Sequence, residues 1–402
     1  MDGNTKIAVI GGRISSLACA MKLAEMGIAV DIFAPQPVER YAPSGSDGLT
    51  IADDPSDPSD SMEILSLLIH LGVPFDRTSE GKIDFKTSSS EHLRTACAGD
   101  ETGWHIHRIL CDQAQRWEAA GRIPKHEYRE VVDFIIDSSG ACRGIVALDL
   151  KSMEVSAHQY DAVILAVAGP MMSFGESPCV SDDFGPMVLA YLKGAQWINP
   201  HDTHGGGLRV DGNYQTDIPG IYAIGECAYS GEEAGLAGGI SSGFACAKSV
   251  GASFGGTGNL FDGLEPNNLE NYCEASRMKL FGVRNETGDA SRPGRGQATA
   301  FSLCWDLAGL MRRTAAAGWS MESLADARRI LAEEIIPALN NLFVSVETGF
   351  ADREILQVHR LGLLVPASLT VLAARETALT IAGDRVTIAA EWSDGKPNIL
   401  TI

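Results

Sequence analysis

The opening of the chain constrains its fold most. Lys6 to Ile10 is a short apolar strand pattern, Gly11-Gly12 follows it, Leu17 to Met26 has the spacing of an amphipathic helix that stops at Gly27, and Ala29 to Phe33 is a second strand pattern. Strand, glycine turn, helix and strand make a βαβ unit, which commits this part of the chain to a parallel sheet with helices on its faces. In such units Gly-x-Gly-x-x-Gly holds a pyrophosphate, because glycines let the backbone come close and the helix start offers free N–H groups at the positive end of its dipole. An acidic residue ending the second strand then holds the ribose. Here the three glycine slots read Gly11, Arg13 and Ser16, and the ribose slot is Ala34. Ser16 is still small enough for helix packing. Arg13 places a side chain where a phosphate would come closest. It either turns out to pair with a phosphate, or fills the site and replaces the cofactor's charge, or belongs to a unit kept only for folding.

Further along, Met62 to Leu71 and Gly103 to Ala120 read as helices, and Ala42 to Ser61, rich in Ser, Asp, Pro and Gly, as a loop. Val131 to Asp137, Gly144 to Asp149 and Glu154 to Tyr160 form a small antiparallel meander, and Asp161 to Ala166 and Gly220 to Ile224 are buried strand patterns. Residues 255–268 read as a linker. Beyond it, helical periods at Leu303 to Met311, Leu324 to Leu342 and Leu369 to Leu379 precede a terminal strand at Arg385 to Trp392 and a turn at Ser393 to Pro397. The expected organisation is an α/β domain over 1–254 and a helical domain with a terminal strand over 269–402.

Charge and cysteines narrow the function. Thirty-two basic residues against 52 acidic ones give a net charge of −20, which leaves no basic surface for nucleic acid. The apolar stretches near Leu65 to Val73 and Leu361 to Ala374 are each interrupted by polar residues or proline and fall short of the ~20 residues of a membrane span. With no basic n-region at the start, a cytoplasmic protein is expected. Nine cysteines, none in CxxC spacing, imply reduced thiols rather than zinc or an iron–sulfur cluster. Trp104 and Trp117 read as core residues, and the acidic segment Asp54 to Asp60 as a solvated loop.

Several segments occur in a recognisable order: Glu63 to Leu65, His70 to Phe75, Arg94 to Gly103, Gly144 to Asp149, Ala162 to Ala166, and Pro219-Gly220-Ile221-Tyr222-Ala223-Ile224-Gly225-Glu226-Cys227-Ala228. Their succession resembles the flavoprotein subunit family of succinate dehydrogenase, fumarate reductase and L-aspartate oxidase. The resemblance implies a Rossmann-like domain of the FAD-binding, glutathione-reductase-like type. It implies an FAD site finished by Glu226 on the ribityl chain and by a glycine-rich helix start at Gly238-Gly239-Ile240-Ser241-Ser242 facing the isoalloxazine. N–H groups and the dipole there favour the negative charge of reduced flavin. Gly11, Gly12, Arg13 and Ser16 make up the rest of the cofactor set.

The family's substrate site is only partly present. His201, in His201-Asp202-Thr203-His204-Gly205-Gly206, matches the family's catalytic histidine motif. In Glu233-Ala234-Gly235-Leu236-Ala237-Gly238-Gly239, Leu236 stands where the family carries an arginine. The capping domain, with its own arginine, is absent, because Gly194 to Pro200 runs straight into His201. No histidine lies between Tyr41 and Asp53, where some members attach FAD covalently, so noncovalent FAD is expected. Arg375-Glu376 resembles part of a tail motif of the family. No metal site is expected at His201, Asp202 and His204. Two readings follow: a redox subunit passing electrons from noncovalent FAD to an iron–sulfur or other electron-transfer partner, or to a substrate other than succinate, or else a cofactor-free pseudoenzyme acting as a structural subunit. A partner or a second copy is expected to cover the Trp197 to Gly207 face, and the resemblance allows attachment to the inner membrane through a partner.

Overall fold

A computed structural model describes residues 5–43, 48–52, 61–87, 93–170, 183–202, 206–229, 235–254, 266–281, 298–342, 353–381 and 387–402. β1 (Lys6–Ile10), α1 (Ile14–Glu25) and β2 (Ala29–Ala34) form the expected unit. α1 ends where Gly27 turns left-handed at φ 80° and the Ile28 N–H donates back to Leu23 O at 3.0 Å. Next come β3 (Leu49–Ala52), α2 (Ser61–Leu71), β4 (Phe85–Thr87), β5 (Leu93–Ala96), α3 (Thr102–Ala119) and β6 (Lys125–Glu127). β7 (Arg129–Ile136), β8 (Cys142–Asp149) and β9 (Val155–Gln159) are the antiparallel meander, followed by β10 (Ala162–Leu165) and α4 (Gly185–Leu192). β11 (Trp197–Ile198), β12 (Gly207–Leu208), β13 (Ile221–Ala223) and α5 (Gly235–Phe254) lead to the C-terminal part. That part holds α6 (Pro266–Phe281), α7 (Ala300–Ala316), α8 (Met321–Ile330), α9 (Ile336–Asn340), α10 (Arg353–Thr380), β14 (Ile388–Ser393) and β15 (Lys396–Thr401).

The main sheet is parallel in the order β13-β10-β1-β2-β6. Strand alternation divides the molecule's core, since Ile7 and Val9 belong with α1 and α5 while Ala8 and Ile10 belong with the meander and the C-terminal helices. From β1 the chain steps to β2 on one side and later returns to β10 on the other. The carboxyl ends of β1 and β10 are therefore a topological switch point, where open α/β sheets bind ligands.

Several expectations change. The stretch Ala42 to Ser61 is not all loop: Leu49 and Ile51 alternate into the core, and β3 pairs with β5 in a three-stranded sheet. Trp104 is on the surface at 38% exposure rather than in the core, while Trp117 packs against the core from its edge. α10 begins sixteen residues before Leu369, and Pro366 lies inside it. Its most apolar window has the length and composition of a membrane span, yet 72% of that window is buried within the fold, as in a core helix. The terminal strand is half of a hairpin, β14 with β15, and β14 pairs with β11 so that Trp197 lies opposite Ala390. Trp197 is fully buried and Ile198 nearly so, so β14 of the same chain covers the start of the face for which a partner or second copy was expected. One hydrophobic cluster joins Phe134, Val146, Trp197, Leu307, Leu364 and Ala390, on both sides of the 255–268 stretch, most of which lies outside the described residues. The acidic segment Asp54 to Asp60 also lies outside them.

Candidate functional site

The turn after β1 is built by close approach. A side chain at Gly11 would meet Ala166 O at 2.3 Å, and one at Gly12 would meet the Tyr41 ring at 2.3 Å, so both positions require glycine while Tyr41 stays where it is. The carboxyl ends of β1 and β10 thus touch, and Tyr41 lies directly on the turn. Gly12 O accepts a hydrogen bond from Nε2–H of the buried His107 at 2.9 Å, and burial holds that imidazole below its usual pKa, in the neutral form. Ser16 is fully buried, and its hydroxyl donates to Arg13 O at 2.7 Å, closing the first turn of α1. No side chain caps α1 and no acidic residue sits in its first turn, so the helix start keeps its positive end for an anion.

Arg13 does not point to open solvent. Its guanidinium lies 3.4 Å from Asp183 Oδ1 and 3.4 Å from a Glu226 carboxylate oxygen. Asp183 is buried beside the start of α4, and its Oδ1 also accepts the Ala168 N–H at 3.1 Å. Glu226 follows β13 in a short helical turn and is 61% exposed. Two carboxylates face one guanidinium. Asp183 Oδ2 and the Tyr41 hydroxyl are buried and meet no hydrogen-bond partner among the described residues. Burial, and then the Asp183 and Glu130 carboxylates, push the Tyr41 phenol well above its usual pKa, so it remains an O–H donor. A crevice beside this group is lined by Ile10, Gly11, Pro35, Glu130, Asp183 and Pro186.

The other expected residues converge from α5. That helix begins at Gly235, so Gly238 and Gly239 fall in its first turn. The Ser242 hydroxyl donates to Gly239 O at 3.0 Å and accepts the Gly225 N–H at 3.2 Å, which ties α5 to the Glu226 turn. Ser241 is half-buried beside it. Leu236, in the slot of the missing arginine, packs towards Gly103 at the start of α3. His201 is in the turn after β11, with Nε2 3.5 Å from Asp202 Oδ1. Burial lowers its pKa, more strongly than Asp202 raises it. His204 lies outside the described residues, and no group of metal-binding side chains occurs among those described. Asp183, Tyr41 and His107 were not foreseen. Asp183, beside Gly185-Pro186, and Tyr41, in a polar stretch, carry no local motif, and His107 reads as one of two histidines on a helix.

A parallel sheet with a glycine turn and an uncapped helix at its switch point defines a dinucleotide-binding class of fold. The chain matches no family profile. It is 33% identical over 228 residues to the succinate dehydrogenase flavoprotein subunit of Bacillus subtilis, a match covering 48% of this chain and 39% of that protein. It is 25% identical over 226 residues to the fumarate reductase flavoprotein subunit of Mycobacterium tuberculosis, covering 48% and 38%. The FrdA chain of E. coli quinol fumarate reductase shares the fold at a TM-score of 0.78 and 13% identity, over 99% of this chain and 96% of that one. What the chain is similar to, in sequence over about half its length and in fold over nearly all of it, is the succinate dehydrogenase and fumarate reductase flavoprotein family. The chain spans about two-fifths of the length of the curated relatives it matches.

Proposed function

We propose that this chain is a flavin-dependent oxidoreductase subunit that holds FAD without a covalent bond at the switch point of its parallel sheet. The uncapped start of α1, meeting the Glu226 turn and the start of α5 around Gly11 and Gly12, is the observation that carries this reading. The residues suit the group. Asp183 Oδ2 and the Tyr41 hydroxyl, which meet no hydrogen-bond partner among the described residues, are an acceptor and a donor for ribose or ribityl hydroxyls, and the N–H groups of α1 suit a pyrophosphate. Glu226, exposed at the rim, accepts hydroxyls, and Ser242 fixes that rim against α5. Arg13 stays turned aside on Asp183 and Glu226, so a phosphate meets the N–H groups of α1 rather than the guanidinium. Bound flavin supplies hydride acceptance and electron transfer.

On this reading the chain passes electrons to an iron–sulfur or other redox subunit, or acts on a substrate other than succinate. Leu236 removes one cation from the family's dicarboxylate site, and the capping segment is absent from the sequence between α4 and His201. Attachment to a membrane is through the partner. The purified protein is expected to show flavin absorbance and to show no succinate oxidation or fumarate reduction with artificial carriers. Glu226→Ala is expected to weaken flavin binding by ~1–3 kcal/mol, the range for a charged hydrogen bond, while Arg13→Gly preserves or improves it. Colourless protein that stays colourless after refolding with excess FAD would overturn the reading.

A second reading, a cofactor-free structural subunit, is favoured by one observation: Arg13 bridges Asp183 and Glu226 while the Tyr41 ring lies on Gly12, so protein groups take up the phosphate position. The same refolding experiment decides between the two.

A further inference from the structure

The Gly11-Gly12 turn is held from beneath by a side chain outside the nucleotide fingerprint. His107, on α3, is 1% exposed and its Nε2–H donates to Gly12 O at 2.9 Å. One turn later on the same helix, the buried Cys111 places its Sγ 3.7 Å from His107 Nδ1. A neutral imidazole carries one N–H, and burial keeps His107 neutral against the opposing effects of the Gly12 bond and Glu39. With that N–H on Nε2, Nδ1 is an acceptor. Burial pushes the Cys111 thiol up to about 12, so it stays an S–H and donates to Nδ1. Thiol, imidazole and carbonyl form one directed chain from α3 to the turn, and the thiol fixes which ring nitrogen faces Gly12.

The direction of the Gly12 carbonyl matters because its peptide leads into Arg13 and the start of α1. The described peptide bonds are all trans, and in a trans peptide the C=O and the following N–H point opposite ways. Gly12 has no Cβ to restrict it and Gly11 sits at φ 121°, so this peptide could turn over at little steric cost. Turned over, it would set the negative end of a carbonyl against an anion at the helix start. The bond to His107 opposes that rotation. Two side chains more than nine-tenths buried border the same turn. Asp183 Oδ2 lies 3.5 Å from where a Gly11 side chain would begin, the Tyr41 ring covers Gly12, and Oδ2 and the Tyr41 hydroxyl meet no hydrogen-bond partner among the described residues.

We propose that His107 is a positioning residue for the anion site at the start of α1: its Nε2–H, with Cys111 holding Nδ1, keeps the Gly12 carbonyl turned away from the ligand. A phosphate then meets the N–H groups of α1 without an opposing carbonyl. His107 acts through Gly12 and not by contact with the ligand. That the phosphate belongs to FAD rests on the flavoprotein reading above; the ordering of the turn for a diphosphate does not.

Inorganic pyrophosphate, by isothermal titration, and FAD, by quenching of its fluorescence, are titrated into the flavin-free full chain, with chemical denaturation on the same samples. His107→Met, similar in bulk and without a donor, is expected to weaken both ligands about tenfold, as for one neutral hydrogen bond. His107→Gln can set an amide N–H where Nε2–H lies, and is expected to bind both within about threefold of wild type. The imidazole nitrogen NMR spectrum is expected to show His107 as the Nε2–H tautomer alone in wild type and as both tautomers in Cys111→Ala. If His107→Met does not fold, His107→Asn, whose amide is too short to reach Gly12 O, is compared with His107→Gln instead. The proposal is overturned if the donor-less or shortened variant keeps wild-type affinity, even with stability lost, if His107→Gln binds no better than that variant, or if the wild-type ring carries its proton on Nδ1. Wild type that binds pyrophosphate in a His107-dependent way but does not bind FAD supports the positioning role and overturns the flavin reading. Wild type that binds FAD equally well whatever stands at 107 overturns the positioning role alone, and wild type that binds neither ligand overturns both.

Discussion

Two arginines, Arg13 and Arg360, each pair with carboxylates far away in the sequence, and their surroundings differ. Arg360 on α10 reaches Glu130 on β7 with Nη2 2.9 Å from the carboxylate and Nε 3.4 Å from its other oxygen, and both residues are buried. Arg13 makes two longer contacts, one to buried Asp183 and one to exposed Glu226, beside polar atoms with no partner among the described residues. The first pair joins the meander to the C-terminal helices in two-point geometry. The second leaves groups at the switch point able to change partners, which is what a ligand site requires and a structural seam does not.

The contrast is broken most directly at the seam. Arg360→Ala strands the Glu130 carboxylate in the core and is expected to cost ~3–5 kcal/mol, read by chemical denaturation. Arg360→Met combined with Glu130→Gln is expected to recover most of that loss. A single substitution costing less than ~1 kcal/mol would mean that the pair does not hold the two parts together.

At the switch point the effect should be smaller. Arg13→Gly removes the guanidinium from buried Asp183, and ~1–3 kcal/mol of stability should go with it in the absence of ligand. Asp183→Asn in the same chain should restore it, because a neutral amide needs no counter-charge. If Asp183→Asn restores nothing, the loss arises elsewhere in the turn.

How far the sequence could be read follows the same division. Period and turn chemistry revealed the βαβ unit, the Gly27 stop and the meander, because those signals lie within a few residues of one another. Arg13 was recognisable as an intruder in the phosphate turn, but its partners were not, since Asp183 is 170 positions away. Tyr41, in a polar stretch, gave no sign that its ring would lie on Gly12. α10 was seen only in its last third, because Gln357, Arg360, Pro366 and Ser368 interrupt its apolar period, and all four are buried. The pairing of β11 with β14 joins a strand of two residues to one more than 190 positions later, as Ile198 faces Ala389, and no local pattern encodes it.

Acid should sharpen the comparison through buried histidines. His107 under the switch point is held neutral by burial, and His359 on α10 is lowered to about 3, also chiefly by burial. Both folded values lie below the ordinary 6.5, so the stability these groups contribute is present above pH 6.5 and is lost as pH falls towards their folded values. Each adds a slope of at most ~1.4 kcal/mol per pH unit. Melting temperature measured from pH 7 to pH 5 should fall, and His359→Gln should reduce the slope. Asp31 acts in a lower window. Its pKa is about 2, where bonds from His126, Lys6 and Tyr160 outweigh the burial that would raise it, so its contribution holds above ~4 and disappears as pH falls through 2. A melting temperature flat between pH 7 and 5 would show that the imidazoles are hydrated in the folded state.

The smallest effect is expected at Glu226. Its carboxylate is largely in water and touches Arg13 at 3.4 Å, and exposed pairs of this kind contribute little once screening and side-chain ordering are counted. Glu226→Gln should therefore change the stability of the flavin-free protein by less than ~0.5 kcal/mol. Its consequence belongs to binding: an amide at the rim accepts ribityl hydroxyls less strongly than a carboxylate, so flavin affinity should drop while the fold does not respond. Denaturation and flavin titration on the same variant separate the two. A loss of fold stability comparable to that of Arg13→Gly would place Glu226 among the groups that hold the switch point together, and the distinction between its rim and the Arg360 seam would fail there.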